Sequence, residues 1–375
     1  MSAKNFDNEN TARAYADPAA EREEREKRRR ARKRKRIINR IFGFFLTTGV
    51  LFGVCGLALE YVLIKGPSPA LRDTFAMTMA ETRRFTFIPY IFMTREEGDS
   101  YLNRRTEVNG DVTTDTSLIK IGANATVGSE VTAEEQDMRF VDEDGDGLII
   151  NEIKGSGYSG YMMVILDPTR VYLGTPIDNA DNPFGSFGLP LDAMCKQYDA
   201  VAGINAGGFS DDGGGGSGGW PQGITVVQGR HYNYSTGYDR FAGFDADGIL
   251  HVGYFSSEDV IAANIQNGVS FGPLLIVNGE IMYDEIAVSG VNPRTAIGQR
   301  ADGIVLMLVI DGRQLHSVGA TYSDVVDIML DYGAVNACNM DGGSSTSMWY
   351  QGDYVNSCSS QDGKSRYLPD AWLFK

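Results

Sequence analysis

The fold of this 375-residue chain is decided by the stretch GIVLMLVIDGRQLHSVGATYSDVVDIMLDYGAVNACNMDGG, residues 303–343. Its first eight residues are continuously apolar, as expected of a strand that is buried on both faces. Ser323 is a suitable cap for a helix, and Gly333 is a natural helix stop. Residues 334–340 form a second apolar run, which ends at Asp341. The stretch therefore predicts a βαβ unit with two parallel strands.

Two carboxylates follow these predicted strands. Asp311 and Asp341 should lie at the same sheet edge, which in open α/β sheets is where ligands bind. Gly342 and Gly343 turn the chain directly after Asp341, and four hydroxyl residues follow. Such a turn can present a carboxylate to a polar substrate, although a plain Gly-Ser turn is the alternative. We predict Asp341 and Asp311 as catalytic carboxylates, with Glu280, after a third predicted strand, in reserve.

Five motifs occur in an order that resembles the phosphodiester glycosidase family. They are NAGGF (205–209), GPLLIVNGE (272–280), NPRTAIG (292–298), DGRQ (311–314) and NMDGGSSTSM (339–348). The resemblance covers residues 155–375 and implies a mixed α/β catalytic domain that acts on a sugar-1-phosphate diester. The chain departs from the family in having two glycines after Asp341, where three are frequent. An insertion at residues 211–219 is the second departure.

The resemblance also implies which residues would bind the substrate. Arg294 would offset the phosphate charge, with a structural salt bridge as its alternative role. Hydroxyl groups and phosphate oxygens would be bound by the motif residues Asn205, Gly207, Gly208, Gly342, Gly343, Ser344, Ser345 and Thr346. The chain has only three histidines and no HExxH pair, so its chemistry must depend on carboxylates, hydroxyls and arginine. No cofactor is required.

The amino-terminal region predicts a membrane anchor. Residues 1–40 carry 14 Lys and Arg against 7 Asp and Glu, a net charge of +7, which leaves −22 for the rest of the chain. Residues 41–59 are uncharged and mostly apolar, close to the length that spans a bilayer. Positive residues stay on the cytoplasmic side, so we predict a single-pass type II protein of the cell membrane. A cleaved signal peptide is the alternative. The basic run could instead bind nucleic acid, but its position beside the membrane segment explains it, and we predict no nucleic-acid partner.

This pattern predicts a sheet-rich, mixed α/β (α+β) catalytic domain behind a membrane helix and a stalk. The predicted parts are a basic cytoplasmic tail (1–40), a transmembrane signal anchor (41–64), a stalk or linker (65–147) and a phosphodiester glycosidase domain (148–375).

An acidic run before the catalytic domain is a candidate calcium loop. Asp142, Asp144 and Asp146 match the first half of an EF-hand loop. The twelfth position, which needs a bidentate acid, is Ile153. An acidic hairpin turn is therefore the alternative to a loose Ca²⁺ site.

Four cysteines provide no zinc-type CxxC pair. Cys338 and Cys358 flank the Asp341 turn and could form a disulfide in an oxidising compartment.

Together these features predict an extracytoplasmic glycosidase that hydrolyses sugar-1-phosphate diesters in an envelope polymer or glycan. One alternative is a non-catalytic binder or assembly factor for envelope polysaccharide, since Trp220, Tyr232, Tyr234 and Tyr238 cluster near the glycine-rich insertion. A sugar-phosphate transferase is another.

Overall fold

The chain divides into two compact units, Met1–Lys65 and Gly66–Lys375. Both are taken from a computed structural model. It describes residues 18–82, 85–102, 111–122, 137–177, 179, 181, 183–210, 216–360 and 362–375. The first part of the predicted insertion, 211–215, lies outside the described residues.

The first unit is described as one long helix, α1 (Pro18–Lys65). Its part from Arg22 to Lys65 is long and apolar enough to cross a membrane. A signal sequence near an amino terminus would have the same length and composition. The helix thus fits either a membrane anchor or a signal sequence.

The described residues of the second unit form three sheets, in which all paired strands are antiparallel. The first sheet contains β1 (Leu148–Gly155), β2 (Tyr158–Ile165), β10 (Leu274–Val277), β11 (Glu280–Ile281), β12 (Arg294–Arg300), β13 (Val305–Ile310) and β14 (Ala334–Met340). Their order across the sheet is β1-β2-β13-β12-β14-β10-β11.

The other two sheets have five strands each. The second contains β3 (Val171–Gly174), β4 (Ala202–Asn205), β15 (Met348–Tyr350), β16 (Asp353–Tyr354) and β17 (Ala371–Phe374), in the order β16-β15-β4-β17-β3. The third contains β5 (Thr225–Val227), β6 (Arg230–Asn233), β7 (Asp239–Asp245), β8 (Leu250–Phe255) and β9 (Ile265–Ser270), in the order β6-β5-β9-β7-β8.

Six α-helices accompany these sheets among the described residues. They are α2 (Pro69–Glu81), α3 (Arg95–Leu102), α4 (Leu191–Gln197), α5 (Ser257–Ala262), α6 (Tyr283–Ile286) and α7 (Tyr322–Asp331).

The first sheet is buried on both faces. Alternate β13 residues such as Leu306 and Leu308 pack in one apolar cluster with Val325 and Met329 of α7. The residues between them pack in another cluster with side chains of the other two sheets, among them Trp372. Successive side chains of a strand point to opposite faces, so burial of both faces explains the unbroken apolar run of β13.

β13 and β14 run in the same direction, but they are not neighbours. β12 lies between them and pairs antiparallel with each. The intervening α7 is capped by Thr321, whose side chain forms a capping box with Asp324, rather than by Ser323 as predicted. Gly333 follows the helix with φ +81°, as expected for its stop.

The described parts of the segment predicted as a stalk pack within the second unit. The Thr114 side chain exchanges two hydrogen bonds with the Val252 backbone of β8, at 2.7 and 3.0 Å. In α2, the Thr78 hydroxyl accepts from the Val291 N–H at 2.9 Å. These contacts correct the expectation of a separate spacer for the residues involved. Residues 103–110 and 123–136 of the same prediction lie outside the described residues.

Candidate active site

An open cavity of about 1010 Å³ lies at the carboxyl end of β14. Six of the predicted site residues line it, namely Gly208, Arg294, Asp341, Gly342, Gly343 and Ser344. Three further cations, Arg313, Lys364 and Arg366, also line the cavity. The predicted carboxylate, arginine and glycine turn are therefore brought together.

The Asp341 backbone is fixed on both sides. Its N–H donates to the Ala206 carbonyl at 3.0 Å, and its own carbonyl accepts from the Asn205 amide at 2.6 Å. The side chain is partly exposed at the cavity. A carboxylate on a strand end held in this way can meet a ligand without rearrangement of the backbone.

Asn205 has a different position from the one predicted. It is fully buried, and its side-chain oxygen accepts from the Thr295 hydroxyl at 2.9 Å and from the Ser347 N–H at 3.1 Å. With its amide bound to Asp341, Asn205 ties three segments together beneath the site. It positions Asp341 and does not line the cavity.

The turn after Asp341 depends on its glycines. Gly343 has φ +62°, and a Cβ there would lie 3.1 Å from a guanidinium nitrogen of Arg313. A Cβ on Gly342 would lie 2.9 Å from the Pro293 carbonyl oxygen. The glycines therefore let a cation and the backbone that precedes β12 approach the turn closely. Arg313 is also fixed by a 3.0 Å hydrogen bond to the Asn292 side-chain oxygen.

Arg294 is buried, with 4 % of its surface exposed, and is held from several directions. Its guanidinium donates to the carbonyls of Ala320 and Gly290 at 3.1 and 2.6 Å and lies 3.9 Å from the centre of the Tyr322 ring. It also forms an ion pair with Glu81 of α2 at 2.8 Å. Arg294 thus forms a structural salt bridge, which was its alternative predicted role. It also lines the cavity.

Asp311 lies at the same sheet edge as Asp341 but on the opposite face. In the register, Arg294 is opposite Ile310, and Thr295 is opposite Met340. Side chains alternate between the two faces along each strand. Asp341, the residue after Met340, therefore lies on the same face as Arg294, whereas Asp311, the residue after Ile310, lies on the other face.

The contacts of Asp311 agree with this alternation. Its carboxylate is 4 % exposed and accepts from the Asn356 amide and the Ser357 N–H, both at 3.0 Å. It does not line the cavity. The prediction that Asp311 and Asp341 act together as catalytic carboxylates is therefore corrected, because Asp311 anchors residues 356–357.

Glu280 is far from the predicted site. It is exposed and lies in the β10–β11 hairpin, next to Asn278 and Gly279, which bind Asn336 and Val335 at the beginning of β14. Asp341 follows the end of the same strand. The structure thus removes Glu280 from the candidate carboxylates.

Three other predicted residues are beneath the cavity surface. The Gly207 N–H donates to the Asp370 carboxylate at 2.6 Å. Ser345 and Thr346 are buried, and their hydroxyls have no hydrogen-bond partner among the described residues. Of the predicted hydroxyl residues, Ser344 alone lines the cavity.

Asp370, which the sequence analysis missed, is a buried acid close to this site. It is fully buried directly before β17, and one of its carboxylate oxygens has no hydrogen-bond partner among the described residues. Burial raises the pKa of Asp370 to about 7, the Gly207 N–H bond opposes this rise, and the nearby charge of Asp341 adds to it. Nothing in the local sequence PDAWLF distinguishes this acid from a surface turn.

Arg313 and Arg366 were also missed as site cations. Arg313 stands inside the DGRQ motif, so its motif position was a usable signal. Arg366 lies 4.7 Å from the centre of the Phe209 ring and donates to the Ser344 hydroxyl at 3.5 Å. It comes from a loop that no motif marked.

The acidic cluster and the cysteines are separate from the cavity. Ligand oxygens of Asp142, Asp144 and Asp146 lie within 4.8 Å of one another in the turn before β1. Calcium binding there stays a prediction. Cys338 and Cys358 are both free and buried.

Comparisons with known proteins agree with the motif order. A family model described as phosphodiester glycosidase matches residues 198–375. The SPbeta prophage-derived uncharacterized protein YomE of Bacillus subtilis (strain 168) is 30 % identical over 219 residues, which are 55 % of this chain. The chain spans 31 % of the length of that relative.

Among solved structures, the fold is similar to that of the zebrafish N-acetylglucosamine-1-phosphodiester alpha-N-acetylglucosaminidase catalytic domain, auto-inhibited by pro-peptide. The TM-score is 0.53 and the identity 20 %, and the match covers 62 % of this chain and 85 % of that one. The likeness shows a shared fold.

Proposed function

We propose that this chain, whose residues 198–375 belong to the phosphodiester glycosidase family, hydrolyses sugar-1-phosphate diesters with Asp341 as its essential carboxylate. One observation carries the proposal. Thr295 of β12 pairs with Met340 of β14, so Arg294, which precedes Thr295, and Asp341, which follows Met340, stand at the same end of neighbouring strands and line one cavity. A carboxylate beside a buried cation suits a substrate in which a glycosidic carbon lies next to a phosphate, because the carboxylate can act at the carbon while the cation offsets the phosphate charge.

The chemistry requires little beyond these groups. Water adds to the glycosidic carbon, the bond from that carbon to the phosphate oxygen breaks, and a phosphomonoester leaves with the bonding electrons. As a base, Asp341 takes a proton from the attacking water; as a nucleophile, it first bonds to the carbon while the phosphomonoester leaves, and water then cleaves that ester. A phosphomonoester is a good leaving group, so its departure depends more on cations that offset its negative charge than on an acid that protonates it. Arg313, Lys364 and Arg366 are exposed or partly exposed cations that line the cavity and support this role.

The setting of the reaction is the second part of the proposal. The basic tail and the apolar part of α1 support a type II membrane anchor, with the acidic second unit outside the cytoplasm. An envelope polymer or glycan is then the accessible substrate.

A panel assay of the full-length protein tests the activity. Sugar-1-phosphate diesters that differ in sugar and in alcohol are incubated with the protein, and free sugar and phosphomonoester are measured. Equal amounts of the two products are expected from at least one substrate. No product from any member, with the fold intact, would contradict the proposal.

Exposed aromatic side chains favour one alternative, a polysaccharide binder without turnover. Trp220, Tyr234 and Tyr238 are 53 %, 66 % and 45 % exposed, as a sugar-stacking surface requires. The same panel separates the two functions, because a binder retains its ligand and releases no product.

A further inference from the structure

A single peptide group, the one between Ala206 and Gly207, joins the buried acid Asp370 to Asp341. Its N–H donates to the Asp370 carboxylate at 2.6 Å, and its carbonyl accepts from the Asp341 N–H at 3.0 Å. Hydrogen bonds in such a chain polarise and strengthen one another. The Asp370 carboxyl group therefore acts on the backbone of Asp341 across one peptide plane.

The second sheet provides another link between the two aspartates. Ala371, the residue after Asp370, pairs with Asn205 of β4, and the Asn205 amide donates to the Asp341 carbonyl at 2.6 Å. Gly207 lets the carboxyl group come this close, because a Cβ there would lie 3.1 and 3.2 Å from its two oxygens. Both hydrogen bonds that fix the Asp341 backbone thus lead back to Asp370 or its neighbour.

No cation compensates the carboxyl group of Asp370. The oxygen that does not bind Gly207 has no hydrogen-bond partner among the described residues, and of their charged groups Asp341 alone acts on Asp370. The residues that pair with its neighbour in the adjacent strands, Asn205 and Gly174, carry no charge. A fully buried carboxyl group in these surroundings favours its neutral, protonated form.

The two carboxyl groups have opposite surroundings. Asp341 is partly exposed at the cavity, whereas Asp370 is enclosed beneath it. Because each negative charge opposes the other, the pair retains one proton more readily than none, and burial places that proton on Asp370. The pKa of Asp370, raised to about 7 chiefly by burial, agrees with this division. Pairs of acids whose surroundings differ in this way can take different roles in one reaction.

We propose that Asp370 is a positioning residue that fixes the Asp341 backbone through the Ala206–Gly207 peptide and holds a proton beneath the site, so that Asp341 meets the substrate as the ionised carboxylate. This inference rests on the proposed function for the role of Asp341. Asp370 does not line the cavity, so it acts through its neighbours. When it loses its proton, a second negative charge lies beneath the site and opposes an anionic diester. Activity should therefore be complete at low pH and fall as pH rises through about 7.

The pH profile of diester cleavage by the full-length protein is the first test. We compare kcat and KM between pH 5.5 and 8.5 for the wild type, Asp370→Asn, Asp370→Ala and Asp311→Asn. Asparagine keeps an oxygen that can accept from the Gly207 N–H but has no titrating proton, whereas alanine removes the acceptor as well. Asp311→Asn changes another buried carboxylate at the same sheet edge, outside the cavity, and is the matched control.

We expect kcat/KM of the wild type to fall about tenfold between pH 6 and pH 8, the change that results if only the form with Asp370 protonated turns over. Asp370→Asn should match the wild type at pH 6 and lack this fall, whereas Asp311→Asn should keep it. Asp370→Ala should lose kcat by about tenfold or more at every pH, with a smaller change in KM, because Asp341 is displaced. The same pH profile in the wild type and Asp370→Asn would overturn the inference.

Infrared difference spectra detect the proton without turnover and separate this inference from the proposed function. Between pH 6 and pH 8, the wild type should lose a carbonyl band of a protonated carboxylic acid, and Asp370→Asn should show no such loss. If the band behaves in this way but no diester is cleaved, the buried proton is supported and the proposed function is contradicted. If diesters are cleaved and the wild type shows no such band, Asp370 is ionised and this inference alone is wrong.

Discussion

Asp341 is the residue on which the proposed chemistry depends most directly. Asp341→Asn keeps the shape of the side chain and removes the charge that a base or nucleophile needs. We expect kcat for the best diester to fall by at least about 10²-fold, the lower end of the contribution of a general acid or base. The melting temperature should change little, because the side chain faces the cavity. Wild-type turnover by this variant would place the chemistry on another residue.

Asp370 predicts how stability depends on pH. Its pKa is raised to about 7 in the folded protein, far above the ordinary value of an aspartate, so the folded state holds a proton that the unfolded state has released. The stabilising effect is complete at low pH and is lost as pH rises through about 7. Between pH 5 and 7 this amounts to a loss of ~2 kcal/mol in unfolding free energy.

Asp370→Asn should remove this dependence, because an amide holds no titrating proton. Unfolding by denaturant at pH 5, 6 and 7 measures it. As pH rises, the unfolding free energy of the wild type should fall relative to that of Asp370→Asn. A constant difference across this range would show that Asp370 is ionised throughout.

At the scale of elements, the turn after β14 predicts different effects for two glycine substitutions. Gly343 and Gly363 have nearly the same φ, +62° and +66°, so alanine at either should cost a similar 1–2 kcal/mol, roughly the left-handed penalty. A Cβ at 343 also meets Arg313, whereas nothing lies within 4 Å of one at 363. Gly343→Ala should therefore raise KM for the diester severalfold and Gly363→Ala should not. Equal KM values would show that substrate binding does not depend on the close approach of Arg313 to Gly343.

The elements also show what could be predicted from sequence. β14 spans the predicted residues 334–340, and Gly333 stops α7 as expected. The face of each strand end could not be predicted, because it depends on β12, which inserts between β13 and β14. Asp311 and Asp341 follow strands of the same direction, yet the register of β12 puts them on opposite faces. Glu81 was missed for a related reason, since only tertiary packing brings it to Arg294.

At the scale of the whole molecule, the charge distribution predicts topology. The amino-terminal 40 residues should stay inside the cell, because their net charge of +7 precedes the apolar segment. Protease added to intact cells should digest the second unit and spare a tag at the amino terminus. Opened cells, as the control, should lose both. Protection of the second unit in intact cells, or release of a soluble product without the apolar segment, would contradict the anchor.

The antiparallel order of β13, β12 and β14 also determines which parts of this fold can change in sequence without moving Arg294 relative to Asp341. A one-residue slip of β12 would turn Arg294 to the other face, and a two-residue slip would move it about 7 Å along the sheet. The ladder of backbone hydrogen bonds, and not the surrounding loops, therefore sets the spacing of Arg294 and Asp341. Loops that wall the cavity can lengthen or be exchanged while that spacing persists. Loop grafting from a relative should thus alter which alcohol or sugar is accepted before it alters the rate at which the bond breaks.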